Sequence, residues 1–399
     1  MRHIDDLKIS GKKLLIRVDY NVPLENGVIT DDNRIRQSVP TLEYALKEGA
    51  ALILCAHLGS PKGKVVPELT LKPAAEHLAG LLGRPVALAP DCVGPEVEKM
   101  AAALEPGQVM MLENLRFHAE ETGKTAEERG DFGARLAALA DVYVGDAFGV
   151  AHRVNASVVD APKAAGECCL GFLMKKEWEF LGEALRDPGR PYVAVSGGAK
   201  VSSKLGIINN LLGKVDDLII GGAMANTFLL AQGKPVGASL VEADLLDVAR
   251  GVLADAEEKG TRLHLPVDVV CGRSVKDEEP MGTFGTGWIP EDAMILDIGP
   301  KTAEAYVGIL AKAGTTVWNG PMGLFENPAF SAGTMAVCRT IAGNHGVTIV
   351  GGGDTDVVVH KAGLEKDFSF ISTGGGSFLE FLEGKELPAF KALKECSKK

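Results

Sequence analysis

Short, uninterrupted apolar runs recur along the chain, each followed by a polar or glycine-rich tip and then by a longer amphipathic stretch. In the first half such runs lie at 13–18 (KLLIRV), 51–56, 86–89, 109–112 and 142–144. In the second half five more open the segments 192–204 (YVAVSGGAKVSSK), 217–224 (DLIIGGAM), 315–323 (TTVWNGPMG), 347–355 (VTIVGGGDT) and 368–376 (FSFISTGGG). Apolar runs this short, without alternation, read as buried strands. Between them, helices are predicted at 35–46, 71–82, 94–104 and 125–140, and 175–186 (KKEWEFLGEALR) reads as a long connecting helix stopped by Asp187, Pro188 and Gly189. Strand and helix in alternation predict parallel sheets, in which ligands sit beyond the carboxyl ends of the strands. The expected fold is therefore α/β: two doubly wound parallel-sheet (Rossmann-like) domains, 1–174 and 191–376, joined by the connector 175–190, with 377–399 left beyond the second core.

The strand tips differ in kind between the halves. Those of the first half carry Arg17, Asp19 and Asn21, then His57 and Ser60, then Glu113, Asn114 and Arg116, then Asp146, His152 and Arg153. Such a cluster is either a sheet-edge ion pair or a ligand site, and a lone histidine such as His57 is more often a satisfied structural group than a ligand. Arginine fits carboxylate and phosphate bidentately, so together these tips suit a small, multiply charged anion. The second-half tips carry glycines. After 192–195, Gly197 and Gly198 permit close backbone approach, and a helix is predicted to begin near Ala199 with Lys200 and Lys204 on one face of its first turns. Two such lysines can also be a solvated face; repetition of the glycine tip argues for a phosphate cradle. Asp354, at a glycine-rich tip, is either an N-cap or a Mg²⁺ ligand, and Glu326 is either a plain exposed glutamate or a partner for ribose hydroxyls. Neither a P-loop nor a dinucleotide fingerprint is present, and 282–287 (GTFGTG) reads as a turn.

Composition narrows this picture. At 399 residues, 46% hydrophobic and 24% charged, the chain has material for two cores. A formal charge of −11 argues against general affinity for nucleic acid or anionic membrane, so any anion site is local. The start, MRHIDDLKIS, has no apolar leader core and no run approaches the ~20 residues that span a bilayer, which points to a cytoplasmic protein. Seven cysteines without a Cys-x-x-Cys pair suggest reduced, buried thiols, with neither a zinc site nor a disulfide frame indicated.

In order along the chain, RVDYNVPL, DDNRI, HLGSPKG, ENLRF, GDAFGVAHR, GGAKVSSK, GGAMANTF, WNGPMGLFE, GGGDT and STGGGSFLEFLEGK resemble the motifs of the phosphoglycerate kinase family. The resemblance implies reversible phosphoryl transfer between 1,3-bisphosphoglycerate and MgADP in glycolysis. It also implies a hinge-bending monomer whose C-terminal segment, 377–399, returns to the N-terminal domain. Carried over motif by motif, Asp19, Asn21, Arg34, His57, Arg116 and Arg153 would hold phosphoglycerate, with Arg17 and Ser60 beside them. Arg34 and Lys204 would reach the transferring group together with the amides of Gly374, Gly375 and Gly376. Lys200, Asn319 and Thr355 would meet the nucleotide phosphates and Asp354 the magnesium. Gly198, Ala199, Gly222, Leu296, Pro321 and Glu326 would frame adenosine, with Gly323, Gly352 and Gly353 counted to the same site. Ser60 stands where the family usually has Arg, Asn155 where a second histidine is common, Ser203 where many members have Asp, and Phe378 where a small polar residue is common. Two rivals are a kinase for another small carboxylate on the same scaffold, separated by substrate profiling, and a non-catalytic nucleotide sensor, which measurable turnover excludes.

Overall fold

The computed structural model describes residues 1–398. The chain divides into two compact units, Met1–Glu179 with Glu386–Lys399, and Phe180–Lys385. The division falls inside the expected connector, where helix gives way to a π-helical stretch over Trp178–Ala184. The returning segment begins at Glu386, later than the expected 377.

In the first unit, β1 (Lys13–Val18) is followed by an antiparallel hairpin of β2 (Leu24–Glu25) and β3 (Val28–Ile29), then by β4 (Ala51–Cys55), β5 (Val86–Leu88), β6 (Val109–Met111), β7 (Val142–Asp146) and β8 (Cys168–Leu170). The hairpin aside, these form one parallel sheet in the order β5-β6-β4-β1-β7-β8. The strand order runs outward from β1 in both directions, and its Arg17 lies in register with Cys55 and Gly145. The β1 tip is thus the switch point where ligand crevices open. Helices α1 (Asn33–Lys47), α2 (Lys72–Leu82), α3 (Pro95–Ala103) and α4 (Ala126–Ala137) fall close to the periodic stretches. Thr125 and Glu128 start α4 with a reciprocal capping box. Two short helices, α5 (Ala161–Ala164) and α6 (Phe172–Glu177), complete the crossover region.

The helix Pro388–Cys396 packs on this unit: the Phe390 ring lies 5.0 Å from Trp178 and 6.1 Å from Phe148, centroid to centroid. Cys396 at its end is disulfide-bonded to Cys168 of β8, with Cα atoms 6.2 Å apart. This corrects the expectation of seven reduced thiols. The partners are 228 residues apart in sequence and meet only because the C-terminal helix folds back. Cys55, Cys92, Cys169, Cys271 and Cys338 are free and buried.

The second unit contains β9 (Tyr192–Ser196), β10 (Asp217–Ile220), β11 (Arg262–His264), β12 (Asp268–Gly272), β13 (Gly282–Gly285), β14 (Met294–Ile298), β15 (Thr315–Asn319), β16 (Val347–Val350) and β17 (Phe370–Ile371). Six of these form a parallel sheet, β11-β10-β9-β15-β16-β17, which in chain order is the 3-2-1-4-5-6 pattern of doubly wound folds. Its switch point lies between β9 and β15, where Ser196 faces Asn319. The other three form an antiparallel sheet, β13-β12-β14, so the GTFG of 282–285 is a strand and not the expected turn. Flanking helices are α7 (Leu205–Leu211), α8 (Met224–Ala231), α9 (Leu246–Glu258), α10 (Pro300–Leu310), α11 (Ala332–Ala342), α12 (Gly353–Ala362) and α13 (Gly375–Leu382). The helix expected near Ala199 starts only at Leu205. Gly197 to Ser203 form a loop of bends and turns, on which Lys200 is exposed, and Lys204 is the N-cap.

Candidate active site

In the first unit the tips of β4 and β6 are stitched by Asn114. Its side chain donates to the carbonyls of Leu58 (2.7 Å) and Leu69 (2.8 Å) and accepts from the backbone N–H of Leu58 (3.2 Å) and Arg116 (3.1 Å). Asn21 adds a bond from the Gly59 N–H to its side-chain oxygen at 2.9 Å. These bonds fix the loops that carry His57 and Arg116. Arg17, 1% exposed, donates to Ser157 Oγ at 3.0 Å and lies 3.1 Å from His57 Nδ1. Arg34, in the first turn of α1, donates to Asp19 at 2.7 Å while its side chain stays 41% exposed. Arg116 donates to the Gly59 carbonyl at 2.6 Å and reaches Ser60 Oγ at 3.5 Å, and its Nε is buried without a hydrogen-bond partner.

The electrostatics of this cluster are those of an anion site. Burial first, then the guanidiniums of Arg17, Arg116, Arg153 and Arg34, hold the His57 imidazole well below its ordinary pKa, so it is neutral at pH 7. Burial and the fields of Arg153 and Arg17 lower the Arg116 guanidinium to about 10, partly offset by Glu121 and Asp19. Guanidiniums crowded this way repel one another, and a multiply charged anion relieves the repulsion. Two residues of the network escaped sequence reading. Glu121 is wholly buried and accepts from Ser157 Oγ (2.7 Å) and the Ser157 N–H (2.9 Å), which sets the hydroxyl that Arg17 grips. Ser157 carries no local sequence signal either, and a glutamate in FHAEETGK looks solvated until a 3₁₀ turn at Ala119–Thr122 turns it inward.

In the second unit backbone replaces side chain. A Cβ on Gly197 would meet the Pro321 carbonyl oxygen at 2.0 Å, and one on Gly222 would meet the Gly198 oxygen at 2.5 Å. Gly198, Gly222 and Gly320 also have φ of 117°, 67° and 97°, the left-handed side that glycine tolerates. The tips of β9, β10 and β15 therefore lie backbone on backbone. They open onto a cavity of about 260 Å³ lined by the expected Gly198, Ala199, Gly222, Leu296, Pro321, Gly323, Glu326 and Asp354. Its walls also include Leu240, Val269, Met322 and Phe325, which sequence reading had not assigned. Asp297 lines it too; burial pushes its carboxyl up to about 7, although it accepts from the Gly333 and Ile298 N–H groups.

Beside the cavity, Lys204 Nζ donates to Asn319 Oδ1, Asn319 donates to the Gly351 carbonyl, and Thr355 Oγ1 accepts from the Gly320 N–H at 2.7 Å. Desolvation lowers the Lys204 pKa, and the Asp354 carboxylate works in the opposite direction. Gly352 and Gly353 open α12, with Gly352 at φ 102° beside the Asn319 amide. Gly374, Gly375 and Gly376 open α13, which is held to the β16 tip by the Phe378 ring against Gly351. Lys200, exposed on its loop, is not among the residues lining the cavity.

A family model described as phosphoglycerate kinase matches residues 4–385. A phosphoglycerate kinase of Maridesulfovibrio salexigens is 65% identical over 398 residues, covering 100% of each chain. One from Moorella thermoacetica is 54% identical over 398 residues, covering 98% of each. Among solved structures, the phosphoglycerate kinase from Coxiella burnetii is similar with a TM-score of 0.91 at 41% identity, covering 98% of both chains. That from Pyrococcus horikoshii is similar with a TM-score of 0.85 at 32% identity, covering 100% of both.

Proposed function

The chain belongs to the phosphoglycerate kinase family, and from that premise we propose which residues carry the family's reversible transfer between 1,3-bisphosphoglycerate and ADP, giving 3-phosphoglycerate and ATP. The observation that carries the assignment is the convergence of Arg17, Arg34, Arg116 and Arg153 on one neutral, buried histidine. Phosphoglycerate binds there, held by those guanidiniums with Asp19, Asn21, His57 and, at the rim, Ser60. The glycine-lined cavity of the second unit takes the nucleotide. Adenosine lies on the apolar walls around Leu296 and Pro321, Glu326 faces the ribose, and the phosphates run toward Asn319, Lys204, Thr355 and the α12 and α13 N-termini.

Transfer to a carboxylate needs no general base, because the acceptor is already ionised at neutral pH. What this chain supplies is position and charge: Arg34 and Lys204 neutralise the moving phosphoryl group, and the amides of Gly374 to Gly376 receive its oxygens. In-line transfer brings donor and acceptor oxygens together, so turnover requires the two ligands to meet with water excluded. Asp354 fits the role of magnesium ligand: it is exposed at a glycine-rich helix start and its field reaches Lys204. Mg²⁺ bound there would offset charge on the nucleotide phosphates. We take the enzyme to act as a cytoplasmic monomer, which light scattering and fractionation check; among the described residues no helix is long and apolar enough to cross a membrane.

The direct test is a coupled assay for 1,3-bisphosphoglycerate formation from ATP and 3-phosphoglycerate with and without Mg²⁺. Turnover that is lost on removing Mg²⁺ and restored by adding it back supports the reading, and metal-independent turnover removes Asp354 from its role. For the division of labour, Arg34→Ala is expected to abolish transfer while leaving nucleotide binding intact by calorimetry. An equal loss of nucleotide affinity counts against separate sites.

A further inference from the structure

Beyond the substrate sites, the fold assembles a cluster of unlike donors on the first unit. Asp91 and Cys92 follow β5, and His118 closes the 3₁₀ turn after β6, two residues beyond Arg116. The strands are neighbours, so residues distant in sequence come together. The donor atoms of Asp91, Cys92 and His118 all lie within 4.8 Å of one another, and His118 Nε2 is 2.6 Å from Asp91 Oδ1. We propose that this triad binds a thiophilic divalent cation, with Zn²⁺ as the ion its donor set favours.

The chemistry of the three groups supports one ion over a chance grouping. Thiolate, imidazole and carboxylate together are the borderline-soft set of zinc sites, and magnesium has no use for the sulfur. Three protein donors leave a fourth position for water, as in open zinc sites. The imidazole plane is held by stacking on Phe132, at 4.8 Å between centroids and 23° between planes, which keeps Nε2 turned to Asp91. Cys92 is buried, and its thiol donates to the Glu113 carbonyl at 2.9 Å. Burial first, then the Asp91 and Glu121 carboxylates, the Cys55 thiol and the Glu113 carboxylate, push that thiol well above the ordinary range.

Binding breaks the Cys92 S–H bond and forms a metal–sulfur bond, and the proton leaves to solvent. No electron changes hands. Affinity accordingly falls as pH falls. An Asp91–His118 ion pair with no metal role is the competing account, and Cys92 separates the two: an ion pair makes no use of the thiol.

The test is titration of metal-stripped, full-length enzyme with Co²⁺, followed by displacement with Zn²⁺. Expected is one Co²⁺ per chain with a thiolate-to-cobalt charge-transfer band and d–d bands of tetrahedral intensity, abolished in Cys92→Ser and bleached by Zn²⁺. His118→Asn, at a partly exposed position that spares the core, is expected to weaken Zn²⁺ binding at least about tenfold by calorimetry. The proposal is overturned if no charge-transfer band forms, if the band survives Cys92→Ser, or if His118→Asn leaves the affinity unchanged. Co²⁺ held only at Asp354 gives an oxygen-ligand spectrum without that band, and that outcome overturns the proposal.

Discussion

The two units share a plan, six parallel strands with ligand groups at the tips, and differ in what the tips are made of. The first concentrates charge on side chains: Arg17 and Arg116 are almost fully buried, Ser157, set by Glu121, holds Arg17, the Gly59 carbonyl holds Arg116, and Asp19 holds Arg34. The second removes side chains, so that Gly197, Gly222 and Gly320 let three loops meet through their backbones. The difference teaches that ligand shape selects the device. A compact polyanion is best met by guanidiniums, each forming paired, charge-assisted bonds. An extended nucleotide needs a long, apolar, close-fitting trough, with a few polar groups at one end.

The comparison breaks most visibly at Lys204, the desolvated cation of the backbone-built site. Lys204→Ala is expected to lower kcat by about 10²-fold or more, with circular dichroism and melting little changed. Near-normal turnover in a steady-state assay would mean that amides alone carry the second unit's share of the charge.

A feature common to both units sharpens the contrast further. Asp146 at the end of β7 and Asp297 in β14 are buried carboxyls, each pushed up to about 7 chiefly by burial, although both accept backbone N–H groups. The unfolded chain loses such protons near pH 4. Between about pH 4 and 7 the folded state therefore binds more protons, and this part of the stability falls as pH rises through that window and levels off above it. Asp146→Asn is expected to remove a decline of about 3 kcal/mol from the denaturation free energy measured from pH 4.5 to 7.5. A pH profile parallel to that of the parent would show that Asp146 ionises normally.

Glu121→Ala probes the supporting shell of the side-chain site alone. It strips Ser157 of both bonds that orient it toward Arg17, and is expected to raise KM for 3-phosphoglycerate about tenfold while KM for nucleotide stays put. Equal changes in both constants would mark Glu121 as a general fold residue.

Much of this contrast was legible in the chain. Strands buried on both faces leave apolar runs such as ALILC and VTIV that no solvent-facing pattern interrupts. Arg17, His57, Arg116 and the glycine tips stood where those runs stopped. What escaped lacks that signature. The strand β11 is RLH, an edge strand with an exposed Arg262, and β13 alternates half-buried glycine and phenylalanine with exposed residues over only four positions. Lys200 and Lys204 suited a helical face by spacing, but the start of α7 at Leu205 leaves them on the preceding loop. Long-range pairings, Cys168 with Cys396 and Glu121 with Ser157, come from topology and have no local cause.

Ser60 offers the finest adjustment. It stands at the exposed rim of the first unit's site, 3.5 Å from Arg116 Nη1, where the family usually places another guanidinium. An arginine there adds attraction for a phosphate that carries two charges near neutral pH, and it also adds repulsion to a free site in which four guanidiniums already act on His57. Because the position is exposed, solvent screens both effects, and a residual of about 0.5–1 kcal/mol is what such contacts leave. Ser60→Arg is therefore expected to tighten the calorimetric Kd for 3-phosphoglycerate about threefold at low salt, less at high salt, with nucleotide Kd unaltered. A Kd that stays the same or weakens would show that the repulsion among guanidiniums cancels the gain, and that the clamp is complete with the arginines it has.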